Sequence, residues 1–104
     1  MIDHTGLENA MEHLAATDME YADLKGQLEN AEILRKRIRA RIFLTVSGNN
    51  EERKARAETD SMVEAADEEY VTALVQFEKL RAQRQRSESY IDVWRSVEAS
   101  RRKT

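Results

Sequence analysis

The densest group of like charges in the sequence is a basic run in its first half. It places five cations within seven residues, with no acid among them: Arg35, Lys36, Arg37, Arg39 and Arg41. Closely spaced cations can follow a phosphate backbone, so the run is a candidate nucleic-acid contact, together with Arg101, Arg102 and Lys103 near the carboxy terminus. The alternative is a helix flank whose cations pair with the acids of 64–69. We favour this pairing because no aromatic stacking pattern accompanies the basic run.

Residues that could bind a metal or catalyse hydrolysis do not occur at the spacing that such sites usually have. His4 and His13 are nine residues apart, which does not give the i, i+4 arrangement of helical metal ligands. The Glu-x-x-His signature of di-iron bundles does not follow Glu8 or Glu12. The chain has no cysteine, so it has no thiolate ligand. We therefore expect no catalytic, metal or cofactor-binding residues and a protein that is not an enzyme.

Arg84 interrupts an otherwise apolar seam of the second half. A polar residue at such a position usually sets helix register or oligomeric state. The alternative is an anion site formed with the neighbouring Arg81 and Arg86. We expect Arg84 to be the one partly buried charge.

The seam itself repeats in alternating steps of three and four residues through 63–101. It contains Val63, Ala66, Tyr70, Ala73, Phe77, Leu80, Arg84, Ser87, Ile91, Trp94, Glu98 and Arg101. A repeat of this period predicts a helix that buries one narrow face against another helix.

Composition agrees with a thin helical core. The 104 residues are 36% charged and 6% aromatic, with three glycines and no proline. The net charge of −3 argues against binding nucleic acid or anionic membrane through total charge. There is no long apolar run and no signal-peptide pattern, so we expect a soluble cytoplasmic protein without membrane contact.

The pattern predicts a single all-α domain over 1–104, a coiled-coil-like antiparallel hairpin. We expect a helix over about 6–46, a connector over 47–60 with at most one or two helical turns, and a helix over about 61–101. Thr5 and Ser61 each begin a capping-box pattern, so we expect them to cap the two long helices. The seam of the first helix weakens near Thr17 and Asp18, where the helix is expected to bend or restart.

Charge complementarity predicts how the helices align. If the chain folds back near residue 53, the basic run lies beside the acids of 64–69. In the same register Arg84 and Arg86 lie near Glu20 and Asp23, and the basic end lies near Asp3, Glu8 and Glu12. Each exposed pair contributes only ~0–1 kcal/mol, so the charges specify alignment more than they stabilise it.

A hairpin buries one face, yet both helices carry further apolar residues. We therefore expect a homodimer that forms a four-helix bundle, with a heterologous partner helix as the alternative. The residues expected at the interface are Leu74, Phe77, Tyr90, Ile91, Trp94 and Val97.

One stretch near the carboxy terminus resembles known proteins. It is the run Tyr90-Ile91-Asp92-Val93-Trp94-Arg95-Ser96-Val97-Glu98-Ala99-Ser100-Arg101-Arg102, preceded by 77–81. It is similar to small helical proteins of tailed bacteriophages and prophages that end in a Trp-Arg-x-x-x-Ala/Asn-x-Arg-Arg pattern. The resemblance chiefly covers 60–102. It implies a non-enzymatic accessory factor of DNA replication or recombination, acting in the host cytoplasm by binding another protein. A nucleic-acid-binding helical dimer that uses the basic clusters is the alternative.

Overall fold

The chain forms three α-helices in a computed structural model that describes residues 3–103. α1 spans His4–Thr45, α2 spans Asn50–Thr59 and α3 spans Ser61–Lys103. No β-strand occurs within residues 3–103, so the predicted all-α class is confirmed. No helix in that range combines the length and the hydropathy needed to cross a bilayer.

The helices pack in two units. The central unit contains Leu24–Phe77, and the terminal unit contains the described residues of Met1–Asp23 and Glu78–Thr104. α1 and α3 each contribute one segment to each unit, whereas α2 lies wholly in the central unit.

An aspartate precedes each long helix and caps it. Asp3 Oδ1 accepts a hydrogen bond from the amide three residues later at 2.7 Å. Asp60 Oδ1 accepts one from the amide two residues later at 2.8 Å. Such carboxylates satisfy amides that the first helical turn leaves without partners. The predicted caps Thr5 and Ser61 are wrong, because both residues lie inside the first turn of their helices.

The segment between the long helices is mostly helical. Gly48 has a φ of 121°, which residues with a Cβ rarely adopt, and it forms the turn after α1. Asn49 caps α2, with its side-chain oxygen accepting from Glu52 N at 2.9 Å. Ala57 is 2% exposed and packs α2 into the central unit. The interpretation of 47–60 as a connector with at most two turns is corrected, since α2 is ten residues long.

α1 continues without interruption through the point where a bend was expected. The hydroxyl of Thr17 donates to His13 O, one turn earlier, at 2.7 Å. This bond satisfies the threonine inside the helix instead of capping a new one. The predicted restart with a second cap at Thr17 or Asp18 is therefore wrong.

In the central unit, α3 runs antiparallel to α1. The Arg35 guanidinium lies over the Tyr70 ring at 4.4 Å, whereas Arg39, one turn further along α1, contacts Asp67, almost one turn earlier in α3. The buried apolar residues of this unit are Ala57, Val63, Ala66 and Phe77. Small side chains dominate this set, so the core is thin, as the composition predicts.

In the terminal unit, α3 also runs antiparallel to α1. Tyr90 Oη accepts from Asp3 N at 3.0 Å, and Arg84, earlier in α3, donates to Leu14 O, later in α1, at 3.0 Å. Ala10 and Leu80 are buried between the two segments. The predicted antiparallel pairing is thus observed within each unit, and the four-helix dimer stays a prediction.

Candidate functional site

Arg84 donates three hydrogen bonds to α1 in the terminal unit. Nη1 donates to Leu14 O at 3.0 Å and to Thr17 Oγ1 at 2.8 Å, and Nη2 donates to Asp18 Oδ1 at 2.7 Å. The guanidinium also lies 4.8 Å from the Tyr21 ring centroid. Its side chain is 14% exposed, against 64% for its carboxylate partner.

This arrangement favours the structural role over an anion site. All the groups that contact the guanidinium come from α1: a backbone carbonyl, a hydroxyl, a carboxylate and an aromatic face. The guanidinium therefore fixes the register of α3 along α1. Arg84 is partly buried, as predicted, although it is not the one such charge, because Arg35 and Arg39 are half-buried too. Its carboxylate partner is Asp18, instead of the predicted Glu20 or Asp23.

Two predicted interface residues bind the start of α1. Tyr90 accepts a hydrogen bond from the backbone amide of Asp3. The Trp94 ring packs edge-on against His4, with ring centroids 5.7 Å apart. Both side chains are half-buried in the terminal unit. Part of the surface that the sequence assigns to a partner is therefore covered by the protein's own first helix.

The other predicted interface residues differ in exposure. Phe77 is 9% exposed and belongs to the core of the central unit, where an external partner cannot reach most of its ring. Leu74 is half-buried in the same unit. Ile91 and Val97 are half-buried in the terminal unit. Of these four, Val97 lines the surface groove on α3 described below.

The basic run of α1 is largely paired in the central unit. Asp67 contacts two of its members, with an ion pair of 3.4 Å to Arg35 Nε and a hydrogen bond of 3.1 Å from Arg39 Nη2. Arg39 Nε is also 3.1 Å from a Glu58 carboxylate oxygen. Lys36 pairs with an acid one turn earlier on α1 at 3.2 Å. The contacts of Arg35 and Arg39 with Asp67 match the predicted pairing with the acids of 64–69, whereas Lys36 pairs within α1 instead.

The remaining cations are at the surface. Arg37 and Arg41 are exposed on α1, and Arg102 and Lys103 are exposed at the end of α3. Arg101 forms an ion pair of 3.1 Å with Glu98, on the same helix. The arrangement therefore leaves several exposed cations in each unit, distributed over different helices.

A shallow groove of about 580 Å³ lies on the last turns of α3, in the terminal unit. It is lined by Asp92, Val93, Ser96, Val97, Ser100 and Arg101. Val93 is 46% exposed, which is high for a valine on a packed helix. Four of these six residues, Asp92, Val93, Ser96 and Ser100, are not among the predicted partner contacts. The signal was present as two adjacent rows at i, i+4, i+8, one starting at Asp92 and one at Val93.

In the described part of the chain, no three His, Cys, Asp or Glu side chains gather around a common point. His4 packs on Trp94, as described above. His13 is half-buried, and its Nε2 atom has no hydrogen-bond partner among residues 3–103.

No family model matches the chain, and comparisons with curated proteins and with solved structures gave no match either. The resemblance to phage proteins therefore stays a prediction.

Proposed function

We propose that the chain is a non-enzymatic accessory protein that acts through protein–protein contacts and associates as a homodimer. The observation that supports this most directly is the apolar groove on the last turns of α3, where Val93 is 46% exposed. Exposed apolar area favours association at about 25 cal/mol per Å² buried. A contiguous apolar groove on a helix is a typical place for a partner helix to pack.

The contact is proposed to centre on Val93 and Val97, which both line the groove. Tyr90 and Trp94 contact α1 of their own chain, so their role in a dimer is to hold α3, which carries the groove, against α1. Dimerisation would combine two helix pairs into the four-helix arrangement that the sequence predicts. A phage-type role in DNA replication or recombination, in the host cytoplasm, is proposed with it on the sequence resemblance alone.

Nucleic-acid binding is the second candidate function. The exposure of Arg37 and Arg41 favours it, because these cations face solvent on α1. The pairing of Arg35 and Arg39 with Asp67 weakens it, since an anion would have to compete with a carboxylate already in place. A phosphate-binding surface would show a steep loss of affinity with salt.

Molar mass in solution tests the leading proposal. Light scattering coupled to gel filtration should give twice the 12.1 kDa of one chain at micromolar protein. A single-chain mass at all concentrations would contradict the homodimer. A mobility-shift titration at low and moderate salt tests the alternative, with the double substitution R37E/R41E as the variant. Nucleic-acid binding is excluded if no shift occurs at micromolar protein in low salt.

A further inference from the structure

A pocket of about 310 Å³ lies between α1 and α2 in the central unit. Each helix contributes one row of side chains at the spacing of a single helical face. The row on α1 contains Lys36, Arg39, Ala40 and Phe43. The row on α2 contains Lys54, Ala57 and Glu58. We call this site the α1–α2 pocket.

α2 runs antiparallel to α1 along this pocket. Arg39 Nε is 3.1 Å from a Glu58 carboxylate oxygen. Arg53, earlier on α2, lies over Phe43, one turn later on α1, with its guanidinium 5.7 Å from the ring centroid. The first residue of each row is a lysine. Because the rows are antiparallel, one lysine lies at each end of the pocket, and the apolar side chains lie between them.

Cations outnumber acids in the pocket lining, by three to one. The acid, Glu58, is already paired with Arg39. Lys36 pairs with Glu32 on its own helix, but its side chain is 72% exposed and its ammonium group has three donors. Lys54 is exposed and forms no ion pair within residues 3–103. The chain as a whole has a net charge of −3, so this excess of cations is a local feature.

We propose that the α1–α2 pocket binds an acidic segment of a partner protein, which inserts one large apolar side chain between carboxylates on either side. This inference rests on the proposed action through protein contacts and adds the chemistry of the partner. The apolar side chain covers Ala40, Phe43 and Ala57, and the carboxylates pair with Lys36 and Lys54. The volume is at the small end of the range for ligand pockets, about 300–1,000 Å³, which suits one side chain.

The length of the pocket sets the spacing of the partner's acids. The row on α1 spans seven positions, about 10.5 Å at 1.5 Å per residue. An extended peptide rises about 3.3 Å per residue, so acids two positions before and after the apolar residue are about 13 Å apart. Both lysine side chains are long and flexible enough to meet carboxylates at this separation.

The apolar middle of the pocket favours a peptide over a nucleic acid. A phosphate backbone would pair with the lysines but would leave the apolar side chains between them in contact with water. A base would need a free aromatic face for stacking, and the Arg53 guanidinium already lies over Phe43. An apolar side chain flanked by carboxylates satisfies both parts of the pocket.

Fluorescence anisotropy of a labelled pentapeptide, with one phenylalanine between two glutamates on each side, tests the proposal. It should bind at low salt, and exchange of its phenylalanine for alanine should weaken binding by at least about tenfold. The double substitution K36E/K54E should weaken it at least about tenfold too. K25E/K79E is the matched control, since both lysines are exposed outside the pocket and the net charge changes equally.

Filling the pocket gives a second test that leaves the charges in place. Ala40→Phe should abolish peptide binding, because the new side chain occupies the apolar middle. Ala40 is exposed, so the variant should keep its helix content by circular dichroism. Ala22→Phe, at another exposed alanine of α1, should bind the peptide as the wild type does. Bound peptide should also raise amide protection in Asn50–Thr59, since it bridges α2 to α1.

The outcomes separate this site from the proposed homodimer. Binding that requires the phenylalanine, both lysines and an open pocket supports the site. Equal binding of the alanine peptide, of K36E/K54E or of Ala40→Phe overturns it. Binding of a single-stranded oligonucleotide in place of the peptide, lost in K36E/K54E, also overturns it and assigns the pocket to nucleic acid. Absence of peptide binding overturns the site and leaves the homodimer, which molar mass tests separately, in place.

Discussion

Tyr90 of α3 lies directly against the backbone of Gly6 in α1, and its hydroxyl accepts a hydrogen bond from Asp3 N at 3.0 Å. A Cβ at residue 6 would overlap the Tyr90 hydroxyl and the ring carbon that bears it. Asp3 in turn caps α1 through its bond to Gly6 N. The start of α1 is therefore held by a tyrosine that reaches it only because residue 6 has no side chain.

The substitution Gly6→Ala should destabilise the protein by about 1–3 kcal/mol, because Tyr90 must move away from a newly occupied volume. Alanine elsewhere in a helix normally stabilises relative to glycine by roughly 0.5–1 kcal/mol. Gly26→Ala is the matched control, since nothing lies within 4 Å of a Cβ built there. Urea unfolding followed by circular dichroism measures both.

A double-mutant cycle isolates the contact. In a Tyr90→Ala background, Gly6→Ala should no longer destabilise, because the side chain that it displaces is absent. If Gly6→Ala stabilises the wild-type protein as much as Gly26→Ala does, Tyr90 does not pack closely against residue 6 in solution.

Arg84→Lys should lower the free energy of unfolding by about 1–3 kcal/mol. Lysine keeps the charge but cannot donate to Leu14 O, Thr17 Oγ1 and Asp18 together, and it leaves half-buried acceptors unpaired. Arg86→Lys is the control on an exposed neighbour, with an expected change within about 0.5 kcal/mol. Equal stability of the two variants would show that the guanidinium geometry of Arg84 is dispensable.

The seam of α3 shows which structural features the 3.5-residue periodicity predicts correctly. Val63, Ala66, Phe77 and Leu80 all occupy predicted seam positions and all are buried. A period of 3.5 residues determines which face of a helix turns inward, so these positions follow from spacing alone. The same spacing continues through Arg101, which is exposed. Periodicity therefore does not show where along a helix the partner stops.

Some features could not be predicted from the sequence, because they depend on which of two possible caps a helix uses or on contacts between residues far apart in the chain. Asp3 and Thr5 are both typical N-cap residues, and the structure shows that Asp3 is the cap, because its carboxylate accepts from Gly6 N. α2 is a charged segment that buries Ala57 in the central unit, and a tertiary contact of this kind is not visible in the local sequence. Glycine is required at residue 6 because Tyr90, 84 positions later, packs against it, and no local sequence pattern indicates this contact.

Asp67→Asn should destabilise the protein by about 1 kcal/mol at low salt, because Arg35 and Arg39 lose the carboxylate that lies between them. The loss should shrink in 1 M NaCl, where the Debye length is about 3 Å and half-exposed charges are screened. Glu69→Gln removes the same charge from an exposed position nearby and serves as the control. Thermal unfolding at two salt concentrations measures the difference. A salt-independent loss for Asp67→Asn would point to packing instead of charge.

Asn49→Ala should destabilise α2 by about 1 kcal/mol, because the side-chain oxygen that accepts from Glu52 N is lost at the helix start. Asn50→Ala is the matched control, since Asn50 is an exposed asparagine one position later, inside the helix, where alanine has the higher helix propensity. Amide hydrogen exchange resolves the effect by residue. Protection should fall in Asn50–Thr59 for Asn49→Ala and should hold or rise for Asn50→Ala. Equal loss of protection in both variants would mean that α2 depends on the docking of Ala57 and not on its cap.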